Sequence, residues 1–219
     1  PHVIRVDLYS CLLYVFGKTL GKSQSVTLSK LSMIPFKKLV TNMTKTLETH
    51  PDTEEPVKKA TITAISHFIT AFKAETDLQS KEINLLAIVI VFNGASKFLK
   101  PEVSLINELS NLLVESLAVP GFQKVASECI QTLLISSFNT TIGKTLVVET
   151  IPQLVSLATE DGYVVSDHTD PEKPKVNLIP RFVLEVLVNF TKTLSGEQLV
   201  SLMAITVPLL LWFSDEENS

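Results

Sequence analysis

Arginine is nearly missing from this chain: of 19 basic residues among 219, only Arg5 and Arg181 are arginine, and the net charge is −4. A nucleic-acid surface needs clustered positive charge with arginine forks for bidentate contacts, so no nucleic-acid partner is expected. Cysteine is scarce too. Cys11 and Cys129 form no C-x-x-C pair and no disulfide framework, which points to a reducing, cytosolic compartment. Both fall within apolar helical patterns, where a buried, inert thiol is the expectation. No apolar run approaches the ~20 residues needed to span a bilayer. The longest, "LLAIVIVF" at 85–92 and "LMAITVPLLLWF" at 202–213, are expected to be buried segments.

Glycine, at seven residues, is also rare, and this decides the most conspicuous motif question. Gly-Lys-Ser/Thr occurs at 17–19, at 21–23 and at 143–145. A phosphate-binding P-loop needs a further glycine five positions upstream, so that backbone N–H groups can wrap the phosphates. Those positions hold Leu12, Phe16 and Phe138. All three fail. Gly17 and Gly21 are instead expected to end a first helix, with Lys18 and Lys22 at its negative end.

Other chemistry is as sparse. His2, His50, His67 and His168 have no zinc-site spacing, and no G-x-S-x-G elbow occurs. The tightest polar group, Asp167, His168, Asp170 and Glu172, lacks the central glycine and terminal glutamate of a calcium loop and is expected to be a solvated turn. His67 is expected at the edge of a buried helix face. Glu54-Glu55 and Glu216-Glu217 are read as solubilising charge in a loop and at the terminus, and Lys37-Lys38 and Lys58-Lys59 as polar helix faces. No catalytic, cofactor-binding or metal-ligating residue is assigned, no cofactor is expected, and the chain is read as no enzyme.

What the chain does have is apolar surface in helical register. It is 45% hydrophobic and only 19% charged, with a mean hydropathy of +0.29. In "FQKVASECIQTLL", Phe122, Val125, Ala126, Cys129, Ile130, Leu133 and Leu134 make one helix face. Residues 101–117, 178–194 and Val57–Phe72 repeat the pattern. Val3–Phe16, Ile83–Phe92 and Leu199–Phe213 are apolar almost all round, as helices flanked on both sides would be. "LLAIVIVF" also fits a buried strand, but its helical surroundings favour helix. Helices are expected near 2–19, 27–49, 57–74, 79–97, 101–118, 121–137, 142–159, 177–194 and 196–213, the second with a break at Pro35. That makes nine or ten in all. The polar stretch at 159–175 is expected to be a flexible acidic loop.

An isoleucine or valine precedes proline at 35, 120, 152, 180 and 208, the last three 28 residues apart. "ETIPQLVSLATED" and "ITVPLLLWFSDEE" align by eye. Repeated helices sharing a continuous core predict an all-α solenoid of stacked antiparallel pairs, filling 1–219 as one segment of a longer chain.

Those proline-bent helices with an acidic turn resemble the first helices of HEAT-repeat and armadillo-like α-solenoids. The 28-residue spacing is shorter than the usual repeat, and the basic residue often found in the second helix is not obvious. More narrowly, "RVDLYSCLLYVFGKTL" at 5–20 and "LSKLSMIPFKKLV" at 28–40 are similar to the large HEAT-repeat accessory proteins of the Golgi and endosomal clathrin adaptor. That resemblance implies a cytosolic, non-enzymatic scaffold recruited peripherally to those membranes, with the adaptor complex and its accessory subunits as partners. The alternatives are a solenoid transport receptor or other adaptor, which share the fold, and a helical ligand-binding or enzymatic domain centred on the 159–175 loop. Partner, binding face and oligomeric state have no signature in the sequence.

Overall fold

The computed structural model describes residues 8, 9, 11–13, 15, 16, 26–50, 54–159, 179–196, 199 and 200, with the backbone only at 26–31 and 54. Every regular element among them is helical. After helical residues within 8–16 come α1 (Val26–Thr49), α2 (Glu54–Ala74), α3 (Leu78–Ala95), α4 (Val103–Leu117), α5 (Gln123–Ser137), α6 (Thr141–Thr159) and α7 (Ile179–Thr191). Among the described residues, the substantial contacts join each helix only to helices one or two places along. Thus α1, α3, α5 and α7 form one layer, α2, α4 and α6 the other, and the chain is an α-solenoid.

Amphipathic sequence produces this directly. In α4, Leu105, Ile106, Leu109, Leu112, Leu113 and Leu117 are all buried, while Asn107, Glu108 and Asn111 are exposed. One apolar cluster runs without interruption from Leu13 through Phe68, Phe92 and Leu133 to Phe190. Burial of this kind, at roughly 25 cal/mol per Å² of apolar surface, holds the stack together.

Helix α3 answers the strand alternative at 85–92. It begins at Asp77, whose carboxylate accepts the Ser80 N–H at 2.8 Å. No residue from Ser80 to Ser96 is exposed, because α1, α2 and α5 all lie against it. The apolar all-round pattern is the signature of that three-sided enclosure.

Turn chemistry sets the spacing. Between α4 and α5 the Phe122 N–H donates to the Val119 carbonyl at 3.1 Å. Pro120 and Gly121 fill the corner, and Gly121 has φ +74°. Only glycine adopts that angle without strain, as a type II turn demands.

Four expectations need correction. Helix α1 continues through Pro35, which is exposed; the proline removes one helix hydrogen bond without ending the helix. Pro152 likewise lies exposed in the interior of α6, whereas Pro180 is the second residue of α7. The 28-residue spacing therefore joins non-equivalent positions. Helices of the first layer actually begin at Val26, Leu78, Gln123 and Ile179, intervals of 52, 45 and 56 residues. Glu54 and Glu55 belong to the first turn of α2, where a helix dipole favours negative charge. Finally, Leu8, Cys11 and Val15 are exposed on one face of the first helical segment, which among the described residues is not flanked on both sides. Glycines 17 and 21, the 160–175 part of the loop, Pro208 and most of the last expected helix lie outside the described residues.

Candidate functional site

Among the described residues, those singled out as possible chemistry do not converge. Cys129 is buried in α5, and loss of hydration pushes its thiol up to about 12, with Glu128 and Glu82 adding repulsion. A thiol held that far from its thiolate is inert. Cys11, by contrast, is exposed, against the expectation of burial. His67 lies half-buried on α2. Asp167, His168, Asp170 and Glu172 lie outside the described residues. Among the described residues no three His, Cys, Asp or Glu side chains gather where they could hold a metal ion. Nor is any helix there long and apolar enough to cross a membrane.

The third Gly-Lys-Thr has a packing role. Thr140 precedes α6 and accepts the Gly143 N–H on Oγ1 at 3.1 Å, while donating to the Ser137 carbonyl at 2.6 Å. A Cβ on Gly143 would overlap the carbonyl group of Ser137. Glycine is thus required because the start of α6 presses on the end of α5, not because a phosphate approaches.

Two surface clefts stand out among the described residues. One, of about 290 Å³, lies between the start of α2 and the α3–α4 connection. Lys58, Lys59 and Lys100 alternate there with Glu55 and Glu102 above Ile62 and Leu99. Lys58 and Glu55 are 4.0 Å apart. Its charges balance to within one unit, so it offers polar contacts without a strong preference for either sign.

The second is a groove of about 550 Å³ at the N-terminal end of the array. The segment around 8–16 lies antiparallel to α1: Tyr9 Oη is 3.2 Å from Thr46 Oγ1, and the Phe16 and Phe36 rings are centred 5.0 Å apart. Phe36 in turn meets Phe68 of α2 edge-on at 5.8 Å, tying this pair to the core. Leu8, Tyr9 and Leu12 form one wall and Leu39, Asn42, Lys45 and Thr46 the other.

Charge distribution sharpens this end further. Between Leu8 and Leu47 the sequence holds six lysines and no carboxylate, in a chain of net charge −4. Lys37, Lys38 and Lys45 are exposed, and none pairs with a carboxylate among the described residues. Reading Lys37-Lys38 as an isolated polar pair missed this. The available signal was the absence of acidic residues over forty positions, visible only when charge is summed by segment.

Residues 102–219, from just before α4 to the last residue and just over half of the chain, match the family described as "LAA1-like, C-terminal TPR repeats". No curated protein matches the chain, and no solved structure does.

Proposed function

Because the chain belongs to the LAA1-like family with C-terminal TPR repeats, we propose that it is a non-enzymatic scaffold that binds other proteins and serves clathrin-adaptor-dependent vesicle trafficking. Helical-repeat arrays are protein-interaction modules because stacking leaves long solvent faces on both layers, free of any structural duty. The observation that carries the scaffold reading is this neighbour-only packing around one uninterrupted core. Trafficking draws its support from the resemblance of residues 5–20 and 28–40 to adaptor accessory proteins of the HEAT-repeat type. The family match covers the other half of the chain and also describes a helical-repeat array, under the TPR name. On this reading the protein works in the cytoplasm and is held peripherally at Golgi and endosomal membranes.

Affinity capture of the full-length protein tests it. Co-purification of clathrin-adaptor subunits is the expected result. Recovery of nuclear transport cargo in their place overturns the trafficking role and leaves a solenoid transport receptor. The ligand-binding alternative rests on the 159–175 loop. It requires that changing Asp167, His168 and Asp170 to alanine abolish a metal- or ligand-induced rise in melting temperature.

A further inference from the structure

We propose that the groove between the 8–16 segment and α1 is a docking site for an acidic amphipathic helix supplied by a partner protein. The inference deepens the scaffold reading and rests on it, since it names one surface and the chemistry of what binds there.

Both walls of the groove carry leucine. Leu8, Leu12 and Leu39 line it, and Leu8 and Val15 stand 52% and 50% exposed on the neighbouring helix face. Ile34, farther along α1, is 72% exposed. Single exposed apolar residues need no explanation, but these three lie on two adjoining elements at one end of the stack. Interior helices show what occupies such a trough: α3 lies against both α1 and α2. A helix with leucines on one face meets the same requirement from outside.

The rim then selects the sign of that helix. Asn42 and Lys45 line the α1 side, and exposed Lys38, at i relative to their i+4 and i+7, continues the same helix face. The nearest carboxylate along α1 is Glu48, which is engaged by Lys97 at 3.3 Å. A basic helix would bring like charges together, whereas glutamates flanking a leucine stripe would meet Lys38 and Lys45. An anionic membrane surface shares the charge but not the shape. A groove with two walls favours a single inserted helix over a plane of headgroups.

The probe is an 18-residue helical peptide with leucine on one face and glutamate on the other, fluorescently labelled and titrated with the full chain. Its twin carries lysine in place of glutamate, and phosphatidylserine vesicles form a third arm. The glutamate peptide is expected to bind at least about tenfold more tightly than the lysine twin, with affinity falling as salt rises. The double variant K38E/K45E is expected to lose about tenfold, while K144E, on exposed Lys144 of α6, keeps full affinity. Leu39→Asp reports on the apolar lining and should lose binding; because Leu39 also packs against the core, the variant counts only where its helical spectrum matches that of the native chain, and K38E/K45E decides otherwise. Equal binding of the two peptides, or indifference to K38E/K45E, overturns the proposal. So does lysine-dependent binding of vesicles with none of the peptide, which identifies a lipid surface. If the peptide arm fails while adaptor subunits are still captured by the full chain, this site is wrong and the scaffold reading stands.

Discussion

Helices α1 and α3 lie side by side, yet they present opposite surfaces. Between Ser80 and Ser96, α3 exposes nothing; from Ile34 onward α1 exposes Ile34, Pro35, Lys37, Lys38, Thr41, Asn42, Lys45, Glu48 and Thr49. Position in the stack accounts for the difference. Helix α3 is closed by α1, α2 and α5, and its sequence has no polar stripe; α5, also inside the stack, still exposes Lys124, Glu128, Thr132 and Ser136. An edge helix keeps one buried face, of Phe36, Val40, Met43 and Leu47, and its other faces answer to solvent and partners. The same contrast separates what mutation will do to stability from what it will do to binding.

The largest expected effect tests the contrast directly. Phe92 of α3 is fully buried, and Phe92→Ala should cost about 3–5 kcal/mol through lost transfer energy and the cavity left behind. Ile34→Ala on α1 should change stability by less than about 0.5 kcal/mol. Urea denaturation of both variants decides the matter. A comparable loss at Ile34 would mean that the edge is covered in solution, and the contrast would fail.

Close helix contacts provide the next test. Gly143→Ala drives its new methyl into the Ser137 backbone, which has no rotamer to escape to, and should cost about 1–3 kcal/mol or more. A Cβ on Gly94 of α3 meets the Val40 side chain of α1, where Thr44 Oγ1 also donates to the Gly94 carbonyl at 2.7 Å. A side chain at the edge can shift where a carbonyl cannot, so Gly94→Ala should cost less. Thermal melts of the two variants rank them; a reversed order would show that the α1–α3 contact is the stiffer one.

Much of this architecture was legible in the residues. Periodicity placed α2 to α7 within about three residues of their bounds, because each buried face repeats with the helix turn. The enclosure of α3 followed from its having no polar side. Proline misled: its spacing suggested a 28-residue period, but a proline can open a helix, as Pro180 does, or sit on the exposed side of one, as Pro152 does. Spacing alone does not distinguish those uses. The edge groove was illegible for a different reason. Leu8, Cys11 and Val15 carry the same apolar identity as core residues, and only the arrangement of neighbours reveals that nothing in the described array covers them. The lysine bias was present in the sequence, but pairwise inspection of charges concealed it.

The two cysteines carry the comparison into titration. Burial beneath α3 raises the Cys129 thiol from 9.0 to about 12. The folded protein then holds this proton between those values while the unfolded chain releases it. The contribution of this group to stability is therefore complete below pH 9 and falls as pH rises towards about 12, by at most about 1.4 kcal/mol per unit. Cys129→Ala should flatten that part of the profile. At pH 8 a thiol reagent should label Cys11 in the native protein and reach Cys129 only on unfolding. Native labelling of Cys129 would show that the interior opens as readily as the edge.

The smallest effect belongs to the layer of α2, α4 and α6. Lys73 of α2 and Glu115 of α4 approach to 3.5 Å, with side chains 47% and 58% exposed. Water screens such a pair, and holding two long side chains in one geometry costs entropy that offsets most of the attraction. A double-mutant cycle through K73A and E115A should give a coupling of about 0.5 kcal/mol or less, shrinking further with added salt. A coupling well above 1 kcal/mol would mean that this surface helps hold the helices together. A small one means that substitutions on the solvent faces leave the stack intact. Loss of partner binding by K38E/K45E can then be read as loss of a docking surface, because the array beneath those lysines is held by Phe36, Val40 and Met43 rather than by charge.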